Sequence, residues 1–155
     1  VNNQPPYLDI AQALQASFAK AGVKVTLIPG ISSEISSKVN KHHYEATVNS
    51  WGPDYFDPNS NAAAFASNPE DGSNTLAMRA NWDIPQLTAE TRKAVALSDD
   101  KARIALYQKL QTQVQKSSPY VIGVQARQLI ALRDNLKGYQ QGMNPDMVFY
   151  NQVSK

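Results

Sequence analysis

Apolar positions first recur at helical spacing between Leu8 and Ala21, where Ile10, Leu14 and Ala21 share a side with Ala11 and Phe18 beside them. The spacing predicts a helix over Leu8–Ala21, ended by Gly22 as a left-handed residue just past the last turn. Val23-Lys24-Val25-Thr26-Leu27-Ile28 then alternates like a strand and stops at Pro29-Gly30. A helix joined by one glycine to a strand is half of an α/β unit. Ser32–Asn40 is the next expected helix, capped by Ser32 or Ser33, with Ile35 and Val39 one turn apart. Tyr44–Trp51 alternates again, placing Tyr44, Ala46 and Val48 on one face and Glu45, Thr47, Asn49 and Trp51 on the other.

Residues 52–81 are rich in Asn, Ser, Pro, Asp and Gly and read as loop, with room for a short helix at Ser60–Ala66. Asp83 is expected to cap a helix that carries Pro85 in its first turn and Ile84, Leu87, Thr91, Ala94 and Val95 on one side. Ser98-Asp99-Asp100 opens a further helix whose buried side is expected to be Ile104, Tyr107, Leu110 and Val114, ending before Pro119. Tyr120–Gln125 and Gln128–Leu132 are expected strands, and Gly138–Lys155 an irregular tail with one apolar run, Met147–Tyr150. No repeat and no interdomain linker interrupts the chain. The pattern is that of one α/β lobe over residues 1–155.

Composition narrows the function classes. At 155 residues, 42% apolar and 18% charged, the chain suits one domain with a real core. No run is long enough to cross a bilayer. The absence of cysteine excludes disulfides, thiolate catalysis and cysteine-ligated zinc. Val1–Pro6 has no basic flank, apolar core or initiator Met, as expected of a processed chain or a fragment. A net charge of +2 does not suggest nucleic acid, but the charge is unevenly spread. Between Lys41 and Arg79 stand Glu45, Asp54, Asp57, Glu70 and Asp71 and no Lys or Arg, a formal charge of −5. From Lys101 onward the balance is +6. A cleft lined by the acidic stretch would attract a cation or an ammonium group, whereas on a loop surface the same acids merely keep it solvated.

The richest chemistry lies at Val48–Pro58, Val-Asn-Ser-Trp-Gly-Pro-Asp-Tyr-Phe-Asp-Pro. Trp51 ends the polar face of its expected strand, Gly52-Pro53 turns the chain, and Asp54 follows three residues after the indole. A carboxylate and an aromatic face together suit an ammonium group in a site that excludes water. The structural alternative is a capping Asp and a Trp that covers the core edge. Asp54 and Asp57 also invite a reading as a hydrolytic carboxylate pair, although Asp57-Pro58 is more simply a turn starter. His42-His43 are the only histidines, and adjacent strand residues face opposite ways, so they read as a solvated pair at a helix end rather than as metal ligands. Arg79 and Trp82 offer either a guanidinium–indole stack or a structural loop clasp, and Tyr107 reads as core. Phosphate-binding glycine loops and a Ser-His-Asp signature are absent. No metal, cofactor or catalytic residue is expected.

The ordered set Ile10–Leu27, Tyr44-Glu45-Ala46, Trp51-Gly-Pro-Asp-Tyr-Phe-Asp-Pro58, Asp99/Asp100 with Arg103 and Tyr107, Ser118-Pro119-Tyr120 and Leu136-Lys-Gly-Tyr139 resembles the second lobe of the peptide-type (dipeptide, oligopeptide and nickel) solute-binding proteins of bacterial ABC transporters. The resemblance covers roughly Leu8 to Tyr139. It implies one lobe of a two-lobed periplasmic binding protein, a mixed sheet flanked by helices, with residues 140–155 returning towards a first lobe that this chain lacks. It implies a protein that is periplasmic or lipid-anchored outside the cell, closes around a peptide or similar small ligand and delivers it to a membrane permease. The Asp three residues after the Trp, here Asp54, would accept the ligand's α-amino group, with Trp51, Gly52 and Tyr55 lining the cleft. Val48 stands where oligopeptide binders of the family can carry an arginine. An isolated lobe would expose an apolar seam to its missing part or to a second copy. Two other classes remain: a hydrolase using Asp54 and Asp57, and a self-associating structural module.

Overall fold

Gly22 shows how locally the helix ends are decided. The protein is seen in a computed structural model that describes residues 1–71, 74–142 and 147–155. Helix α1 spans Tyr7–Lys20 and stops at Gly22, whose φ of 78° lets Gly22 N–H reach Ala19 O and Val23 N–H reach Phe18 O. That is a Schellman ending, which satisfies carbonyls the last turn would otherwise leave unpaired. Helix α2 (Ser32–Asn40) repeats it with His42 at φ 57°, His42 N–H reaching Val39 O and His43 N–H reaching Lys38 O. Helix α4 (Leu76–Arg79) repeats it with Asn81 at φ 50°. The histidine pair therefore lies at a helix end, as its setting implied, and His42 Nε2 sits 2.8 Å from Met78 O.

The other helices start where their capping residues allow. Helix α3 (Pro58–Ala66) has Asp57 as its N-cap and Pro58 at its first position. Helix α5 (Pro85–Ala96) begins with Pro85, but its N-cap is Ile84 and not the expected Asp83, and no side chain caps it. Helix α6 (Asp100–Ser117) is capped by Asp99, whose carboxylate accepts from Ala102 N–H at 2.7 Å. A short 3₁₀ turn, Tyr150–Gln152, lies in the tail.

The core is a cluster where α3, α5 and α6 meet. Ala66, Leu87, Ala94, Tyr107 and Leu110 are buried there, with Ala62, Trp82, Ile84, Leu106 and Val114 packed against them. Two expected core residues face outward: Val95 on α5 is 54% exposed and Ile104 on α6 is 55% exposed. Helical spacing fixes which residues share a face, but the neighbouring helices decide which part of a wide apolar stripe is covered. On α1 only Ala11 is buried, while Leu14 and Phe18 are exposed.

The expected mixed sheet does not form among the described residues. Val23–Ile28, Tyr44–Trp51, Tyr120–Gln125 and Gln128–Leu132 make no ladder, and the β-contacts are isolated bridges at Asn2–Gly30 (parallel), Lys137–Ser154 and Gln141–Val148 (antiparallel). Alternation prepares a segment to be a strand, but a ladder needs a second segment beside it. Val121 and Leu129 are almost fully exposed instead. The parallel bridge, supported by Asn3 N–H to Gly30 O at 2.9 Å and Gly30 N–H to Val1 O at 3.1 Å, is an isolated rung that joins the two ends of the segment containing α1. The accessible surface is 11595 Å², whereas a compact monomer of this length exposes roughly 7,700 Å². Of the expected loop 52–81, Gly72 and Ser73 lie outside the described residues, as does Asp146 of the tail.

Candidate ligand-binding site

Three consecutive polar residues in the first turn of α3 hold the segment that the sequence singled out. Asn59 Nδ2 donates to Tyr55 Oη at 3.1 Å. Ser60 Oγ accepts from the Asp54 amide at 3.0 Å. Asn61 Oδ1 accepts from the Trp51 indole N–H at 2.9 Å. Each step forward along α3 reaches a step back along the loop, so Trp51, Asp54 and Tyr55 are fixed as a set. The Trp51 ring also lies edge-on to Phe65, further along α3, at 6.1 Å between centroids. Phe65 continues to Tyr120 (5.3 Å) and Tyr120 to Trp82 (5.8 Å), all edge-to-face.

The two carboxylates of the segment are treated in opposite ways. Asp57 Oδ1 accepts from Asn59 N–H at 2.7 Å, the cap bond, and from Arg103 Nη2 at 2.7 Å, while Oδ2 accepts from the same nitrogen at 2.9 Å. The Arg103 hydrogen bonds first, then the Asn59 amide, hold the Asp57 carboxyl below the usual carboxylate range. A general acid needs the reverse shift. Asp54 is exposed, its backbone is held by Ser60, and its carboxylate has no partner among the described residues. Trp51 and Tyr55 are partly exposed beside it, at 38% and 52%, and Gly52 is exposed. No heavy atom lies within 4 Å of where a Gly52 Cβ would sit, and its backbone is not in the left-handed region. The fold therefore does not require glycine at this position.

All four expected site residues, Trp51, Gly52, Asp54 and Tyr55, lie on this one exposed loop. The rest of the acidic stretch does not join them. Glu70 and Asp71 line a separate cavity of about 310 Å³ with Asp83 and Arg92. Arg79 Nε donates to Asn74 Oδ1 at 2.8 Å, the loop clasp, whereas the Trp82 ring is taken by Tyr120. Among the described residues no group of three His, Asp or Glu side chains is placed to hold a metal ion.

Sequence reading missed Asn59, which it left in the loop, and Ser60 and Asn61, which it saw only as the start of a short helix, and it gave Arg103 no role. Arg103 and Tyr107 stand four residues apart and so share a face of α6. Arg103 Nη2 reaches Tyr107 Oη at 3.3 Å, with the guanidinium 5.0 Å from the ring centre, and Tyr107 Oη donates to Asn59 Oδ1 at 3.2 Å. That spacing was visible; its partner at Asp57, 46 residues earlier in the chain, was not. Tyr120, read only as the start of a strand and part of a motif, joins the ring contacts instead. Its hydroxyl is buried with no hydrogen-bond partner among the described residues, and burial pushes its pKa well up.

The chain is similar to known proteins over most of its length. Residues 1–73 match the family described as bacterial extracellular solute-binding proteins, family 5, middle region. The chain is 28% identical over 134 residues to the peptide transport periplasmic protein SapA of Salmonella typhimurium, covering 86% of this chain and 24% of that protein. It is 26% identical over 155 residues to the probable D,D-dipeptide-binding periplasmic protein DdpA of Escherichia coli, covering 99% of this chain and 30% of that one. It is 27% identical over 133 residues to di/tripeptide-binding protein 4 of Pseudomonas aeruginosa, covering 83% of this chain and 24% of the relative. The chain thus spans between about a quarter and a third of the curated relatives it matches.

Proposed function

We propose that this chain, whose residues 1–73 match the model of the bacterial extracellular solute-binding proteins of family 5, forms part of a periplasmic peptide-binding component of an ABC importer. The observation that carries the reading is the Asp54 carboxylate, which has no partner among the described residues and stands three residues after Trp51 on an exposed loop. A peptide's α-amino group is the complementary charge. Asp54 neutralises it, the Trp51 face adds cation–π attraction, Tyr55 lines the cleft, and Gly52 lets the ligand main chain approach. The similarity to a peptide transport protein and to two proteins named for dipeptides or tripeptides supports a short peptide as the ligand class.

Lobe closure would strengthen the Asp54 contact by excluding water, since an exposed charge pair is weak. The unpaired segments Tyr120–Leu132 and the excess surface favour pairing with further polypeptide of the same protein, which would complete the mixed sheet and supply the opposing wall. A membrane permease is then the partner that receives the ligand. Among the described residues no helix is long and apolar enough to cross a membrane.

A hydrolase using Asp54 and Asp57 is less well supported, because Arg103 and the cap bond occupy Asp57. Calorimetric titration of the whole protein with trialanine and with N-acetyl-trialanine tests the binding reading. Asp54→Asn weakens the free-amino peptide by about 1.5–3 kcal/mol, as for a charge-assisted bond, and leaves the acetylated one unaffected. Equal affinity for the free-amino peptide in native and Asp54→Asn protein would sink the role given to Asp54.

A further inference from the structure

We propose that Arg103 is a positioning residue for the Trp51–Tyr55 site, acting through Asp57 and the first turn of α3. The proposal rests on that loop being the ligand-facing one. Arg103 and Tyr107, one turn apart on α6, meet Asp57 and Asn59, two residues apart at the start of α3. Arg103 holds both oxygens of Asp57 from one nitrogen, and Tyr107 holds Asn59 Oδ1. The other end of the Asn59 amide holds Tyr55, and the next two residues hold Asp54 and Trp51. A continuous path of hydrogen bonds therefore runs from α6, which belongs to the core, to the exposed loop.

Arg103 has a second effect. By compensating Asp57 it leaves Asp54 as the carboxylate in the loop without a partner among the described residues. An incoming ammonium group then has one place to go. The Arg103–Asp57 side chains are 21% and 31% exposed, and such pairs add little to global stability. Their loss is expected to loosen the loop and leave the three-helix core intact.

Hydrogen exchange read by mass spectrometry on the whole, ligand-free protein tests this, with residues 54–60 as the reporter and Leu87–Ala94 of α5 as the internal reference. In Arg103→Met, which keeps the stem over Tyr107, exchange across 54–60 rises about tenfold or more while α5 is unchanged. Asp57→Asn, which keeps a capping oxygen but no charge, behaves in the same way. Arg103→Lys, which keeps a charged donor, restores most of the protection. Unchanged exchange at 54–60 in Arg103→Met, or an equal rise in α5, overturns the proposal.

Titration with trialanine separates this inference from the function on which it rests. Weaker trialanine binding in Arg103→Met, with preference over the N-acetyl form reduced, supports the positioning role. If the native protein binds neither peptide while its loop still loosens in Arg103→Met, the mechanical link holds and the peptide assignment fails.

Discussion

Asp54 and Asp57 lie three residues apart in one loop, yet Asp57 is bound on both oxygens by Arg103 and the Asp54 carboxylate has no partner among the described residues. One aspartate builds the loop and the other is left for use. The difference comes from α6, which supplies Arg103 at the N-terminus of α3, where it pairs with Asp57, while among the described residues no ion pair reaches Asp54.

Acid should release this anchor. Because the folded pKa of Asp57 is depressed, its contribution is complete above the ordinary aspartate pKa of about 3.9 and is lost as pH falls through the lower folded value. The difference in local protection of residues 54–60 between native protein and Asp57→Asn is expected to be constant near neutral pH and to shrink below about pH 4. Hydrogen exchange across 54–60, corrected for the intrinsic rate at each pH, measures it; a difference that persists to pH 2 contradicts the assignment.

Two glycines separate conformation from approach. Gly22 has φ 78° and open space around a would-be Cβ, so Gly22→Ala costs about 1 kcal/mol of stability through the backbone alone. Gly52 needs neither a special φ nor the space. Gly52→Ala is expected to leave the melting temperature nearly unchanged and to lower affinity for trialanine if ligand main chain lies against it. Calorimetry and a thermal melt on the same samples give both answers.

Tyr120 keeps its ring contacts when the hydroxyl is removed. Tyr120→Phe retains the edges against Phe65 and Trp82 and deletes a buried oxygen that has no hydrogen-bond partner among the described residues. Stability at pH 7 is expected to be equal or higher, by as much as about 1 kcal/mol. Since burial raises the Tyr120 pKa, its neutral form is favoured in the fold; that contribution is complete below about pH 10 and is lost as pH rises through the folded value. Tyr120→Phe should accordingly blunt alkaline destabilisation, and denaturant midpoints between pH 9 and 12 would reveal an unaltered slope if it does not.

Helix α6 offers a direct check on which side is core. Leu110 is 1% exposed, and Leu110→Ala is expected to cost about 2–5 kcal/mol. Ile104 is largely in solvent, so Ile104→Ala is expected to stay within about 0.5 kcal/mol. Chemical denaturation of the two variants ranks them; comparable losses would mean that α6 is rotated relative to α3 and α5, or that Ile104 is covered in the whole protein.

What the sequence determined by itself was local. Apolar spacing marked four of the helices, Gly22 and Asp99 fixed an end and a beginning, and the cluster at Trp51–Pro58 was visible as chemistry, because each depends on residues within a few positions of one another. The tertiary structure alone decided that Asn59, Ser60 and Asn61 hold the loop, that Asp57 belongs to Arg103, and that Ile104 and Val95 face outward. It also left the alternating segments without a ladder. Helices close their hydrogen bonds within one stretch of chain and so can be read from that stretch. Ion pairs, buried faces and sheets need a second stretch, and which one arrives is set by packing rather than by order in the chain.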